Sequence, residues 1–123
     1  MKLRLSEAIR LGSMLRPQIF GQISNALGSC AFGAAKESIG DRTPEGFWDP
    51  ERNFPVVGLL PRECPVCGEV EKLRASIISE HLNDRHRWTR ERIADWVESV
   101  EREIEAKQQQ TADSLVDLAL QGK

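Results

Sequence analysis

The chain has 123 residues, 40% of them hydrophobic and 29% charged, with 17 basic against 19 acidic side chains and a formal net charge of -2. A domain of this size buries roughly two-thirds of its unfolded-chain surface, and a near-neutral balance argues against a wholesale polyanion binder held by many phosphate contacts. The three cysteines are too few and too odd in number for a secreted disulfide framework; no apolar run approaches the roughly 20 residues of a membrane span, and MKLRLSEAIRLG carries no signal-type apolar stretch, so a reducing, cytoplasmic setting without membrane attachment is expected.

Residues 1–40 read as an N-terminal helical segment. Ser6 is a suitable N-cap for EAIRLGSMLR, Pro17 stops that helix, and Leu3, Leu5, Ile9, Leu11 and Leu15 give it apolar weight. A second helix is expected in QIFGQISNAL, ending near Gly28. A third is expected between Ser29 as N-cap and Gly40 as C′ residue, its small side chains in CAFGAAKESI admitting a close neighbour. Cys30 falls in that apolar stretch and reads as buried packing. Residues 41–61 form a Pro/Gly-rich connecting loop, with Phe47, Trp48 and Phe54 expected to pin it onto the helices.

The segment 62–88 holds both histidines of the chain and two of its three cysteines. Cys64 and Cys67, followed by His81 and His86, spell C-x2-C-x13-H-x4-H. Structural zinc takes four N or S donors in a tetrahedron, and Cys2His2 is a standard set. Two cysteines on a tight turn direct both sulfurs inward; Pro65 fixes φ there and Gly68 permits φ > 0. Histidines four or five apart at the end of a helix supply the other two donors. With all four positions filled by protein, one structural Zn2+ is expected, with no place for an activated water.

Residues 89–123 read as a C-terminal amphipathic helix and tail. Thr89 is its N-cap, and Ile93, Trp96, Val97, Val100 and Ile104 define one apolar face. A heptad frame over Ile93, Val97, Val100 and Ile104 lasts two heptads before meeting Lys107, Thr111 and Ser114, and QQQT marks a break or a solvated stretch. Leu115, Val116, Leu118 and Leu120 then form a last apolar patch, a candidate partner-binding surface. Charge is uneven: residues 93–123 carry three basic and seven acidic groups, whereas 61–92 carry seven and six.

The expected fold class is therefore mainly α: a small helical domain with an embedded zinc-finger-like module, short hairpin plus helix, and a C-terminal amphipathic helix. From Cys64 to His86 the chain resembles a ββα zinc finger in ligand type and spacing, with Ile78 where such fingers place a core leucine. CPVCG and HLNDRHRWTRERIADWVE, with LSEAIRLGSMLRPQ and CAFGAA upstream, are similar to short phage- and prophage-associated bacterial proteins. That resemblance implies a bacterial or phage cytosolic setting, virion association included, and supplies no activity.

Three functions follow from these residues. The first is a zinc-stabilised protein-interaction module, bound to a protein partner or to itself. The second is nucleic-acid binding, with Arg74, Ile77 and Glu80 at the base-facing positions of a finger and a basic run through Arg85, Arg87, Arg90 and Arg92. The third is an enzyme, for which His81, Asn83, Asp84 and His86 offer only a faint nuclease-like pattern. Two of those four are committed to the metal, and the loop acids Asp41, Asp49 and Glu51 have no His or Cys partner, so neither catalysis nor a small-molecule substrate is expected.

Overall fold

The computed structural model describes residues 3–25 and 27–121; Met1, Lys2, Ala26, Gly122 and Lys123, at the ends of the outer segments and inside the expected second helix, lie outside the described residues. The protein is mainly α, with helices α1 (Leu5–Ser13), α2 (Ala31–Ser38), α3 (Pro50–Asn53), a π-helix over Ile77–Arg85, and the long α4 (Arg90–Gln121). Strands β1 (Ser24–Asn25) and β2 (Gly28–Ser29) pair antiparallel, with Asn25 opposite Gly28.

α1 starts two residues earlier than its polar residues indicate. Arg4 is the N-cap, and its N–H donates to the Glu7 carboxylate at 3.1 Å. Ser6, the expected cap, is instead buried inside the helix, where its hydroxyl donates to Glu101 of α4 at 2.5 Å. A capping side chain thus arrives from a distant helix, which the local sequence does not show. Leu5, Ala8 and Ile9 are buried, whereas Leu11 and Leu15 are exposed. α1 and α2 meet closely because of glycine: a Cβ on Gly12 would overlap the Ala34 carbonyl oxygen.

The second helix does not form. Between Gln18 and Ser29 polar side chains take over backbone partners: Asn25 Oδ1 accepts from the N–H groups of Leu27 and Gly28 at 2.7 and 3.2 Å. Gln18 donates to Asn83 Oδ1 and to the Trp88 carbonyl, and Gly21 takes φ +80°. Asn side chains bonded to nearby backbone favour turns over helix, which here outweighs the apolar spacing of Ile19, Phe20 and Ile23. α2 ends as expected, with Gly40 at φ +68° and Gly40 N–H donating to the Glu37 carbonyl at 3.0 Å; its N-cap is Cys30 rather than Ser29.

The 41–61 loop contains single turns at Glu45–Phe47 and Pro55–Leu59 flanking α3. Trp48 and Phe54 are buried while Phe47 is exposed, so two of the three aromatics pin the loop. Trp48 stands edge-on to Phe32 with centroids 6.2 Å apart, and its Nε1–H donates to Asp41. One apolar cluster joins these residues to Leu60, Cys64, Ile77, Ile78, Leu82, Ile93, Val97 and Val100, so the metal-ligand segment shares its core with α1, α2 and α4.

Thr89 caps α4, its Oγ1 accepting from Arg92 N–H at 3.1 Å. No break occurs at QQQT; the helix continues through Gln121. Its near half is buried through Ile93, Ala94, Val97 and Val100, and every residue from Glu105 to Gln121 is exposed. No helix among the described residues is long and apolar enough to cross a membrane.

Candidate metal centre

The ligand residues sit on two elements that meet at the edge of the core. Cys64 and Cys67 lie on a tight turn closed by Gly68 N–H to the Cys64 carbonyl at 3.0 Å, with Gly68 at φ +75°. Cys64 N–H donates to Glu69 O and Glu71 N–H to Arg62 O, at 2.9 and 2.8 Å, around a bridge between Glu63 and Val70. The expected hairpin is therefore present in a minimal form. The expected helix is present as a π-helix, which answers a geometric problem. In an α-helix, residues five apart lie about 140° apart around the axis, too far to share one metal. Here His86 N–H donates to the His81 carbonyl at 2.8 Å, an i→i+5 bond that widens the turn and brings both rings to one side, centroids 6.1 Å apart. Arg87, at φ +51°, ends the π-helix directly after the second histidine.

One donor atom from each of Cys64, Cys67, His81 and His86 lies within 4.8 Å of every other. Zn–S and Zn–N bond lengths imply donor–donor edges of about 3.3–3.8 Å in a tetrahedron, and Cys67 Sγ to His81 Nδ1 is 3.5 Å. The four residues therefore fit a metal ion. His86 supplies the sharpest indication, because its Nε2 is buried with no hydrogen-bond partner in the protein. Buried polar atoms in native structures have partners, and a metal ion would be one.

The surroundings favour thiolate. Cys64 Sγ accepts from Val66 N–H at 3.4 Å. The Cys67 thiol is lowered to about 6 by the Glu69 backbone N–H, with His86, His81 and Cys64 adding to it against the cost of burial. Burial of the His81 ring opposes its charging, but hydrogen bonds of the ring to the Glu71 carboxylate and to Cys67 outweigh that, and its pKa is raised. Glu71 Oε1 lies 2.7 Å from His81 Nε2. With Nε2 held there, Nδ1 faces the sulfurs, the carboxylate–histidine–metal arrangement that fixes tautomer and ring orientation. Sequence reasoning missed Glu71; the need of a ligating histidine for a partner on its second nitrogen, together with the carboxylates of the hairpin return, is the signal that points to it.

The arginines take varied roles. Arg90 is buried and donates to the Ser13, Arg16 and Ser29 carbonyls and to Ser29 Oγ. Arg74 donates to the Gly58 and Leu60 carbonyls. Arg85 pairs with Glu69 at 2.6 Å, Arg87 lies over the Phe20 ring and Arg92 over Trp88. Ile77 is in the core. The Arg85–Arg92 run is thus split, with Arg90 inside the protein. Cys30 is a free, buried thiol whose pKa burial raises. Leu115, Val116, Leu118 and Leu120 are exposed along the far half of α4.

No protein-family model, curated protein or solved structure matches this chain.

Proposed function

We propose that this protein is a small protein-interaction module in which one structural zinc ion, held by Cys64, Cys67, His81 and His86, fixes the base of α4 and presents the far half of that helix to a protein partner. The convergence of the four donors carries the reading, with the unpartnered His86 Nε2 at its centre. Zinc is the metal of choice because two thiolates and two imidazoles in a tetrahedral set suit it. Four protein ligands leave no open position, so the ion serves the fold and not a reaction. His86 precedes Arg90 by four residues, which ties the metal to the start of α4. The resemblance to phage- and prophage-associated proteins supports a bacterial cytoplasmic or virion setting.

Nucleic-acid binding by Arg74, Arg85, Arg87, Arg90 and Arg92 has less support, because Arg90 and Arg74 spend their donors on backbone carbonyls and Arg85 is paired. The test is elemental analysis of the full chain beside a version ending at Ala106. Both are expected to hold about one zinc and to fold alike, the far half of α4 being a separable presentation element. Zinc well below one equivalent in both would reject the metal reading; loss of zinc in the shortened chain alone would reject the division of roles.

A further inference from the structure

Resting on the interaction-module reading, we propose that the partner of α4 is a protein segment anchored by one lysine or arginine. The aliphatic stem of that residue fills an apolar cavity where α4 leaves the body, and its cationic head meets Glu101. The cavity, of about 230 Å³, is built by three segments: the start of α1, the turn after α3 and the 101–105 stretch of α4. Leu5 and Phe54 form its buried floor; Leu3, Val56, Leu59 and Ile104 are its open walls. Sites for drug-sized ligands run to about 300–1,000 Å³, so this one suits a group the size of a side chain.

The polar end of the cavity selects the occupant. Glu101 lines it at 6% exposure, and acidic side chains are almost never so buried without a charged partner. Its Oε1 accepts from the Ser6 hydroxyl at 2.5 Å, a charge-assisted length, whereas Oε2 meets only the Ser6 N–H at 3.4 Å. The neighbouring acids of α4 already have cations. Asp95 and Glu98 both pair with Arg10 at 2.7 Å, and Glu105 pairs with Arg4 at 2.9 Å, the last two half exposed and neutralising one another at the rim. Among the described residues no basic side chain pairs with Glu101, the most buried carboxylate of the helix. A buried charge is costly unless paired and hydrogen-bonded, and an arriving ammonium or guanidinium supplies that pair.

A purely apolar anchor would cover Glu101 without a counter-charge, and an acidic one would be repelled. Lysine and arginine carry an apolar stem below a charged head, which matches apolar walls that end at a carboxylate. The wider field agrees: residues 93–123 carry three basic and seven acidic groups, and such a surface steers a basic partner toward it. The cavity is also continuous with the far half of α4. The buried face of the helix, Ile93, Val97, Val100 and Ile104, runs on at helical spacing through Gln108, Thr111 and Leu115 to Leu118. The exposed stripe therefore begins at Ile104, a wall of the cavity, and a partner lying along it reaches Glu101 with a single side chain.

Panning a displayed library of random peptides on the zinc-loaded full chain, with zinc measured in the same sample, tests this. The enriched peptides are expected to share a lysine or arginine flanked by apolar residues. Changing that residue to norleucine, which keeps the stem and removes the charge, is expected to weaken binding at least about tenfold. Glu101→Gln, which keeps an acceptor for Ser6, is expected to weaken the charged peptide to a similar degree and leave the norleucine peptide unchanged. Leu59→Ser, at an exposed wall, is expected to weaken both peptides severalfold while keeping zinc and helix content. The norleucine comparison uses the unaltered protein, so it stands even if a variant fails to fold. A zinc-loaded chain that enriches no peptide, enriches peptides without a basic residue, or binds the charged and norleucine peptides equally overturns the anchor. Absence of zinc is a separate failure, that of the module reading itself.

Discussion

The two halves of α4 share one hydrogen-bonded backbone from Arg90 to Gln121 but differ in what surrounds them. Up to Ile104 the helix buries Ile93, Ala94, Val97 and Val100, and its first residue, Arg90, is threaded among the Ser13, Arg16 and Ser29 carbonyls. From Glu105, which pairs with Arg4 at 2.9 Å, to Gln121 every residue is exposed. Most helical stability in proteins comes from packing an apolar face, so the far half depends on extension from the packed near half or on a partner. The near half is anchored in the core, and His86, the last of the four candidate ligands, precedes its first residue by four positions. In the proposed reading, a metal ion at the base of α4 therefore governs how its far half is presented.

Perturbations should divide along the same line. The largest effect is expected from Cys64→Ser, which removes a buried ligand. Structural zinc in finger peptides is worth on the order of 10–16 kcal/mol apparent at neutral pH, so bound zinc falls to near zero and the 62–88 segment loosens, as read by elemental analysis and backbone NMR. Acid acts on the same site. Cys67, lowered to about 6, stays a thiolate above that value and loses metal affinity as pH falls through it; its contribution to the metal-free fold is likewise present above the ordinary thiol range and lost on the way down. A zinc titration from pH 7.5 to 5 should show affinity dropping steeply below about 6.

Ile93→Ala is expected to cost about 2–5 kcal/mol in urea unfolding, because the side chain is fully buried. Glu71→Gln should weaken zinc binding about 10–100-fold by releasing the far nitrogen of His81, with a competing chelator as readout and little change in the metal-free fold. Smallest is Leu118→Ala, expected within about 0.5 kcal/mol for the dilute monomer, as for other exposed positions. Were Leu118→Ala to destabilise the monomer as much as Ile93→Ala, the two halves of α4 would not differ as described.

Some of this was legible in the sequence for definite reasons. The ligands stood out because both histidines fall at metal spacing from the CxxC. The α1–α2 contact followed from small residues, and the Thr89 cap and the Ile93–Ile104 face followed from local chemistry and period. The stretch from Gln18 to Ser29 departs from its apolar spacing because Asn25 bonds nearby backbone and Gln18 bonds Asn83 and Trp88 far along the chain, neither of which periodicity registers. Ser6 was misassigned because its partner, Glu101, lies 95 residues away. The π-helix follows from x4 spacing only when two histidines must meet at one ion. A heptad frame stops at Lys107, yet a four-residue step from Ile104 to Gln108 carries the stripe on to Leu115 and Leu118. Such a stutter keeps a helix face continuous while breaking its seven-residue repeat.

The central claim is a closed site of two sulfurs and two nitrogens that serves the fold. Titrating the metal-free full chain with Co2+ and recording the visible spectrum tests it most directly. One equivalent should give the intense bands of a tetrahedral ion with thiolate charge transfer, Zn2+ should displace it, and Cys64→Ser or His86→Ala should abolish or alter the spectrum. A weak octahedral spectrum, or one unchanged by either substitution, would contradict the account.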